Sequence, residues 1–145
     1  DHIMLLSSTK NDKQRNGFKN LAFNFDSASG INYTVDVTKP NGKKINITTL
    51  ADGSPFDENK IYKVVMNSYR GNGGGELLTK GAGIPHDSIS SRIIFVSERD
   101  QRYYLIKYIE EKKKLNPLPG NNWRFVPDEW AKPAIERDRK IIFGE

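Results

Sequence analysis

The sequence predicts an α+β domain, with a mixed or antiparallel sheet built from hairpins and with one main helix. Three observations carry that expectation. Apolar residues alternate at Leu21, Phe23 and Phe25 and again at Ile31, Tyr33, Val35 and Val37, the period of a strand with one buried face. The turn KPNGKK at residues 39–44 stands between two such runs. A helical pattern opens near Ser97 and places Tyr104, Leu105, Tyr108 and Ile109 on one face.

Taken in order, residues 1–17 are polar after Ile3-Met4-Leu5-Leu6 and read as the remnant of a truncated element. The chain opens at Asp1 rather than Met, so the expectation is a piece of a longer protein, with residues 18–145 forming a single domain. Pro40 sets φ and Asn41-Gly42 tolerates positive φ, so Ile45, Ile47 and Thr49 should return as the hairpin partner of the preceding strand. Residues 51–60 are turn-rich, and residues 61–66 read as a short buried strand. Glu76-Leu77-Leu78 should begin a brief helical turn that Gly81 or Gly83 stops. Residues 92–96, RIIFV, read as another buried strand, and Ser97 with Asp100 as a variant capping box for a helix to about Lys114. Pro117 and Pro119 end that helix; Trp123 to Val126 is extended, and Ile141-Ile142-Phe143 is a candidate last strand.

Length and composition set further limits. A chain of 145 residues buries roughly two thirds of its unfolded surface and needs no staple. Hydrophobic content is 36%, and 7 Phe, 6 Tyr and 2 Trp enlarge a modest core. The 23 basic residues exceed the 18 acidic ones by 5, yet only Lys112-Lys113-Lys114 clusters, at a helix end where the dipole favours cations. A nucleic-acid partner is therefore not expected. Zero cysteines exclude a disulfide framework, a thiolate nucleophile and a Cys-based zinc site. No stretch reaches the ~20 apolar residues of a membrane span. His2 and His86 lack partners at metal-ligand spacing. His86, Asp87, Ser88 and Ser90 are neighbours in one loop without a nucleophile elbow, and Glu110-Glu111 reads as a solvated helix face. No catalytic residue and no metal ligand is assigned.

The run from Asn67 to Gly81, NSYRGNGGGELLTKG, is the unusual feature. It matches neither the Walker P-loop nor the dinucleotide fingerprint, whose third glycine it lacks. Two readings stay open for the residues themselves. One is a plain turn with Tyr69 in the core, which base frequencies favour. The other is a backbone kept bare so that the Tyr69 ring can stand open toward a ligand.

NSYRGNGGGE, preceded by YKVVM, resembles a segment of the C-terminal domain of the 5'-nucleotidase and 2',3'-cyclic-nucleotide 2'-phosphodiesterase family, where an Asn, an aromatic and a glycine pair follow a buried strand. Residues 24–45, the run DGSPFDENKIYKV and NNWRF at residues 121–125 are similar to further segments of that family, in the same order. The aromatic-Arg pair resembles the cyclic phosphodiesterase branch. Gly75 stands where the 5'-nucleotidase branch has an Asp that meets the ribose hydroxyls.

The resemblance implies a truncated 5'-nucleotidase C-terminal-like domain from a secreted, periplasmic or extracellular, metal-dependent phosphohydrolase. It implies that the base is stacked between two aromatic rings, Phe25 and Tyr69, with Phe23 as the fallback for the first. Asn67, Arg70, Gly73 and Gly74 complete the substrate-binding set. Divalent metal ions are expected on a separate N-terminal metallophosphatase domain and none in this chain, which by itself should not turn over substrate. The implied partners are a nucleotide or nucleoside and that catalytic domain. Elements missing from the sheet would leave an exposed apolar patch and favour a dimer. The rival is a stand-alone β-rich binding or adhesion module with no nucleotide ligand.

Overall fold

A computed structural model describes residues 26–144, which fall into two compact units: the described parts of Asp1–Glu58 with Gly120–Glu145, and Asn59–Pro119. The strand expected at residues 21–25 and the polar lead-in lie outside the described residues.

The first unit is built on a three-stranded sheet in the order β2-β1-β3. Strand β1 (Ile31–Asp36) pairs antiparallel with β2 (Ile45–Leu50) and parallel with β3 (Trp123–Val126). The sheet is thus mixed, and the hairpin follows from its turn chemistry. Lys43 N donates to Pro40 O at 3.1 Å across a turn in which Gly42 holds φ +80°, a conformation that a side chain would strain. Alternation along β1 buries Tyr33 and Val35 on one face. Tyr33 stacks on Trp123 with centroids 5.8 Å apart and planes 11° apart, and Trp123 meets Phe125 edge-on at 5.2 Å. Helix α3 (Asp128–Phe143) packs beside β3 and buries Ala131.

A side chain just before β3 ties this sheet to the turn before β1. Asn122 Nδ2 donates to Ala28 O and Ile31 O, both at 2.8 Å. Tyr33 Oη accepts from Ala28 N at 3.2 Å, and Ala51 N donates to Gly30 O at 2.9 Å. The segment directly after Phe25 is therefore held from three sides.

The second unit is made of short turns and one long helix. Helix α1 (Ser68–Gly71) leads into the glycine loop, Leu77–Gly81 forms a wide turn, and two single turns, His86–Ser88 and Ser90–Arg92, follow. Ala82 N closes the wide turn on Leu77 O at 3.0 Å, in line with the expected stop near Gly81. Helix α2 (Gln101–Lys112) ends the unit's regular structure.

Several local expectations need correction. Residues 61–66 and 92–96 form no strand: a strand completes its backbone hydrogen bonds on a neighbour, and neither segment joins the β2-β1-β3 ladder. Val65 is 98% and Ile61 94% exposed. Helix α2 is capped by Asp100, whose Oδ1 accepts from Tyr103 N at 2.9 Å, while Ser97 Oγ turns to Arg99 O. It stops at Lys112, and its apolar residues, Tyr104, Leu105, Tyr108 and Ile109 among them, are exposed. Ile141 to Phe143 is the last turn of α3 rather than a strand, so the described residues hold two long helices. Asp128 and Glu129 in the first turn favour that helix, which runs on through Pro133 although the proline removes a donor from its interior. None of this alters the class, which is α+β.

Candidate functional site

The glycine loop is organised around α1. Asn67 has extended backbone and caps the helix, its Oδ1 accepting from Arg70 N at 2.9 Å. An Asn side chain suits this place because its short carbonyl reaches the otherwise unpaired amides of the first turn. Gly71 N donates to Asn67 O at 2.8 Å and Asn72 N to Ser68 O at 2.9 Å, so the segment closes as one tight helical turn.

Helix geometry sends the next two side chains in different directions. Tyr69 is 59% exposed, whereas Arg70 is 7% exposed and is the buried charged side chain among the described residues. The Arg70 guanidinium lies 5.5 Å from the centroid of the Tyr69 ring, and Nη1 donates to Gly74 O at 3.2 Å. Buried charge is costly without hydrogen bonds and a favourable partner; the ring face and the carbonyl supply both.

The glycines are explained by what surrounds them. Gly73 has φ +88°, and a Cβ there would stand 3.0 Å from Cδ1 of the buried Ile89. At Gly74 a Cβ would come within 2.5 Å of Tyr69 O and 2.6 Å of ring atoms Cδ2 and Cε2. The bare backbone at 74 is thus the floor against which the Cδ2–Cε2 side of the tyrosine ring packs. Gly75 holds φ +69°. The sequence alone could name Tyr69, but not that its contact is Gly74.

The remaining chemistry-bearing groups do not converge. Ser88 Oγ donates to Asp87 Oδ1 at 3.3 Å, Ser91 Oγ donates to Ser88 O at 2.9 Å, and the His86 ring lies beside Gly73. Glu110 and Glu111 pair with Lys107 and Lys112 on the exposed surface of α2. Among the described residues, no three His, Asp or Glu side chains gather where they could hold a metal ion.

The family model of the 5'-nucleotidase C-terminal domain matches residues 4–80, a span that contains Phe23, Phe25 and the whole Asn67–Gly74 loop. The chain belongs to this family. Relatives of the 5'-nucleotidase C-terminal domain chain described here are enzymes of phosphate-ester hydrolysis by name. The trifunctional nucleotide phosphoesterase protein YfkN of Bacillus subtilis is 38% identical over 117 residues, which is 73% of this chain and 8% of that protein. Two proteins named 2',3'-cyclic-nucleotide 2'-phosphodiesterase/3'-nucleotidase are similar as well. The one from Salmonella typhimurium is 32% identical over 126 residues, and the one from Haemophilus influenzae 30% over 128; each match takes in 77% of this chain and 18% of the relative. The chain therefore spans less than a fifth of the length of these relatives. No solved structure matches it.

Of the sequence-predicted site residues, Asn67, Tyr69, Arg70, Gly73 and Gly74 come together in one loop of the second unit. Phe25 and Phe23 lie outside the described residues. Sequence reasoning passed over Asn122, whose side chain fixes the turn that follows Phe25; the NNWRF motif was its only signal. No helix among the described residues is long and apolar enough to cross a membrane.

Proposed function

We propose that this chain is the nucleoside-recognising part of a metal-dependent nucleotide phosphohydrolase, a 5'-nucleotidase or 2',3'-cyclic-nucleotide phosphodiesterase. The observation that carries the reading is an exposed Tyr69 ring packed against a glycine that can bear no side chain. A flat, accessible π surface on a rigid loop is what a purine or pyrimidine stacks on. Phe25 is assigned the opposing ring, with Phe23 as the fallback; Asn67, Arg70, Gly73 and Gly74 shape the loop that presents Tyr69. The same exposure weighs against a stand-alone binding module with Tyr69 in its core.

The mechanism assigned to these residues is binding and orientation. Stacking on an aromatic contributes ~1–3 kcal/mol per base and tolerates any base. Two rings supplying ~4 kcal/mol correspond to a Kd near ~1 mM, so selectivity among bases should be mild. Holding the nucleoside end fixes where the phosphate falls, which is the positional part of catalysis. Divalent metal ions, when bound, polarise the phosphoryl group and activate water. The described residues do not fit them, because no donor cluster exists to hold one, and no step is assigned to a metal in this chain. A separate metal-bearing domain is the proposed partner, and a periplasmic or extracellular location follows from the family resemblance.

Titration with AMP, a 2',3'-cyclic nucleotide and ribose 5-phosphate tests the reading. Millimolar binding of the first two but not of the third, lost in Tyr69→Ala, is expected. Equal binding of ribose 5-phosphate, or full binding by Tyr69→Ala, contradicts it. Phosphatase turnover by the 145-residue chain with added divalent metal would contradict the assignment of cleavage to another domain.

A further inference from the structure

Arg70 follows the exposed tyrosine directly, and an arginine at that place would ordinarily be taken for a phosphate clamp, since its planar fork matches a phosphate's oxygens. Its surroundings argue for another task. A clamp must present its donors to the ligand, yet Arg70 is 7% exposed. One donor is spent on Gly74 O at 3.2 Å, and the flat guanidinium lies 5.5 Å from the Tyr69 ring centroid. Its own amide is held by Asn67 Oδ1 at 2.9 Å. Three consecutive constraints therefore meet in one residue: the cap fixes its backbone, the carbonyl fixes its tip, and its tip faces the ring.

The two partners of the guanidinium also touch each other. Gly74 is the residue against which the Tyr69 ring lies, close enough that a Cβ would stand 2.6 Å from two ring carbons. Arg70 thus ties the floor of the ring, Gly74, to the helix turn that carries the ring, Ser68–Gly71. Without that tie, the glycines at 73, 74 and 75 would leave the floor free to move, because two of them sit in the left-handed region and none has a side chain to pack.

We propose that Arg70 is a positioning residue for base stacking: it fixes the plane of the Tyr69 ring by pinning Gly74 beneath it, and it does not bind the phosphate. This rests on the nucleoside reading of the loop. It predicts a specific pattern. Loss of the arginine fork should weaken a nucleoside and its nucleotide by the same factor, because what is damaged is the surface for the base.

Arg70→Lys is the informative variant, since it keeps the positive charge and removes the planar fork. Adenosine and AMP are titrated against the unsubstituted 145-residue chain and against Arg70→Lys, and the ring signals of Tyr69 are followed by NMR with labelled tyrosine. The expected result is a rise of about tenfold in Kd for both ligands, with displaced Tyr69 ring signals in the free variant. Weakening of AMP alone, with adenosine unchanged, would make Arg70 a phosphate ligand and overturn the proposal. So would unchanged ring signals. Should Arg70→Lys fail to fold, the guanidinium nitrogen signals of Arg70 in the unsubstituted chain decide: equal responses to adenosine and AMP support positioning, and an AMP-specific response overturns it. Absence of adenosine binding by the unsubstituted chain defeats the nucleoside reading itself, whereas adenosine binding left unchanged by Arg70→Lys defeats only this proposal.

Discussion

Tyr69 and Gly74 lie so close that position 74 has no room for a methyl group: a Cβ there would stand 2.5 Å from the Tyr69 carbonyl oxygen and 2.6 Å from two carbons of its ring. The carbonyl is backbone and cannot rotate away as a side-chain tip would. Gly74→Ala should therefore shift α1 against the loop, costing ~1–3 kcal/mol as overpacking does. Denaturant unfolding read by tyrosine signals of the second unit checks the cost, and nucleoside titration checks the ring. An alanine variant with unchanged stability and unchanged affinity would contradict the geometry.

In the first unit, Asn122 is the residue whose loss should matter most for its size. Its amide donates to Ala28 O and Ile31 O, carbonyls more than ninety positions away in sequence. Each such bond contributes ~0.5–1.5 kcal/mol net, so Asn122→Ala should lower stability by about 2 kcal/mol. Urea unfolding followed through the fluorescence of the neighbouring Trp123 measures it. An unchanged midpoint would mean that water replaces the amide without loss.

The turns predict a response to acid. Hydrogen bonds from the Thr38 hydroxyl, then from its backbone amide, hold the Asp36 carboxyl below the usual carboxylate range; the Ser54 hydroxyl and amide do the same for Asp52. The Asp128 carboxyl is lowered by its hydrogen bond with Lys132 and by that residue's charge. A lowered folded pKa gives stability that is complete above the unfolded value of ~4 and is lost as pH falls through the folded value. Stability should therefore decline on acidification from about pH 5 to about pH 3. Asp36→Asn should flatten part of that decline. A first unit equally stable at both ends of that range would contradict this account of the turns.

The exposed apolar side chains predict self-association. Ile61, Val64 and Val65 in one stretch and Ile94, Phe95 and Val96 in another are largely open to solvent, and contiguous apolar surface is seldom left bare. Light scattering should show the average mass rising with concentration, and Val65→Lys with Phe95→Lys should reduce the rise. A strict monomer at high concentration would contradict it.

Legibility in the sequence followed the range of the interaction. The β1–β2 hairpin was readable because Pro40, Asn41 and Gly42 specify the turn locally. Helix α2 was readable from its cap, although Asp100 rather than Ser97 supplies it. The apolar runs at residues 61–66 and 92–96 misled, because hydrophobicity reports a wish for burial while a strand also needs a neighbour. Helix α3 was hidden by Pro133, which ordinarily argues against a helix interior. At the loop, Tyr69 and the glycines were legible as types in order. That Arg70 turns inward, and that Gly74 lies under the ring, depend on a three-dimensional packing no local pattern encodes.

The central claim is that the face of Tyr69 receives a base. Proton NMR of the chain with AMP measures this most directly, because stacked rings shift one another's signals. The account predicts that the adenine protons and the Tyr69 ring protons move together on titration, and that ribose 5-phosphate moves neither. Binding of AMP that leaves the Tyr69 ring signals in place would contradict it.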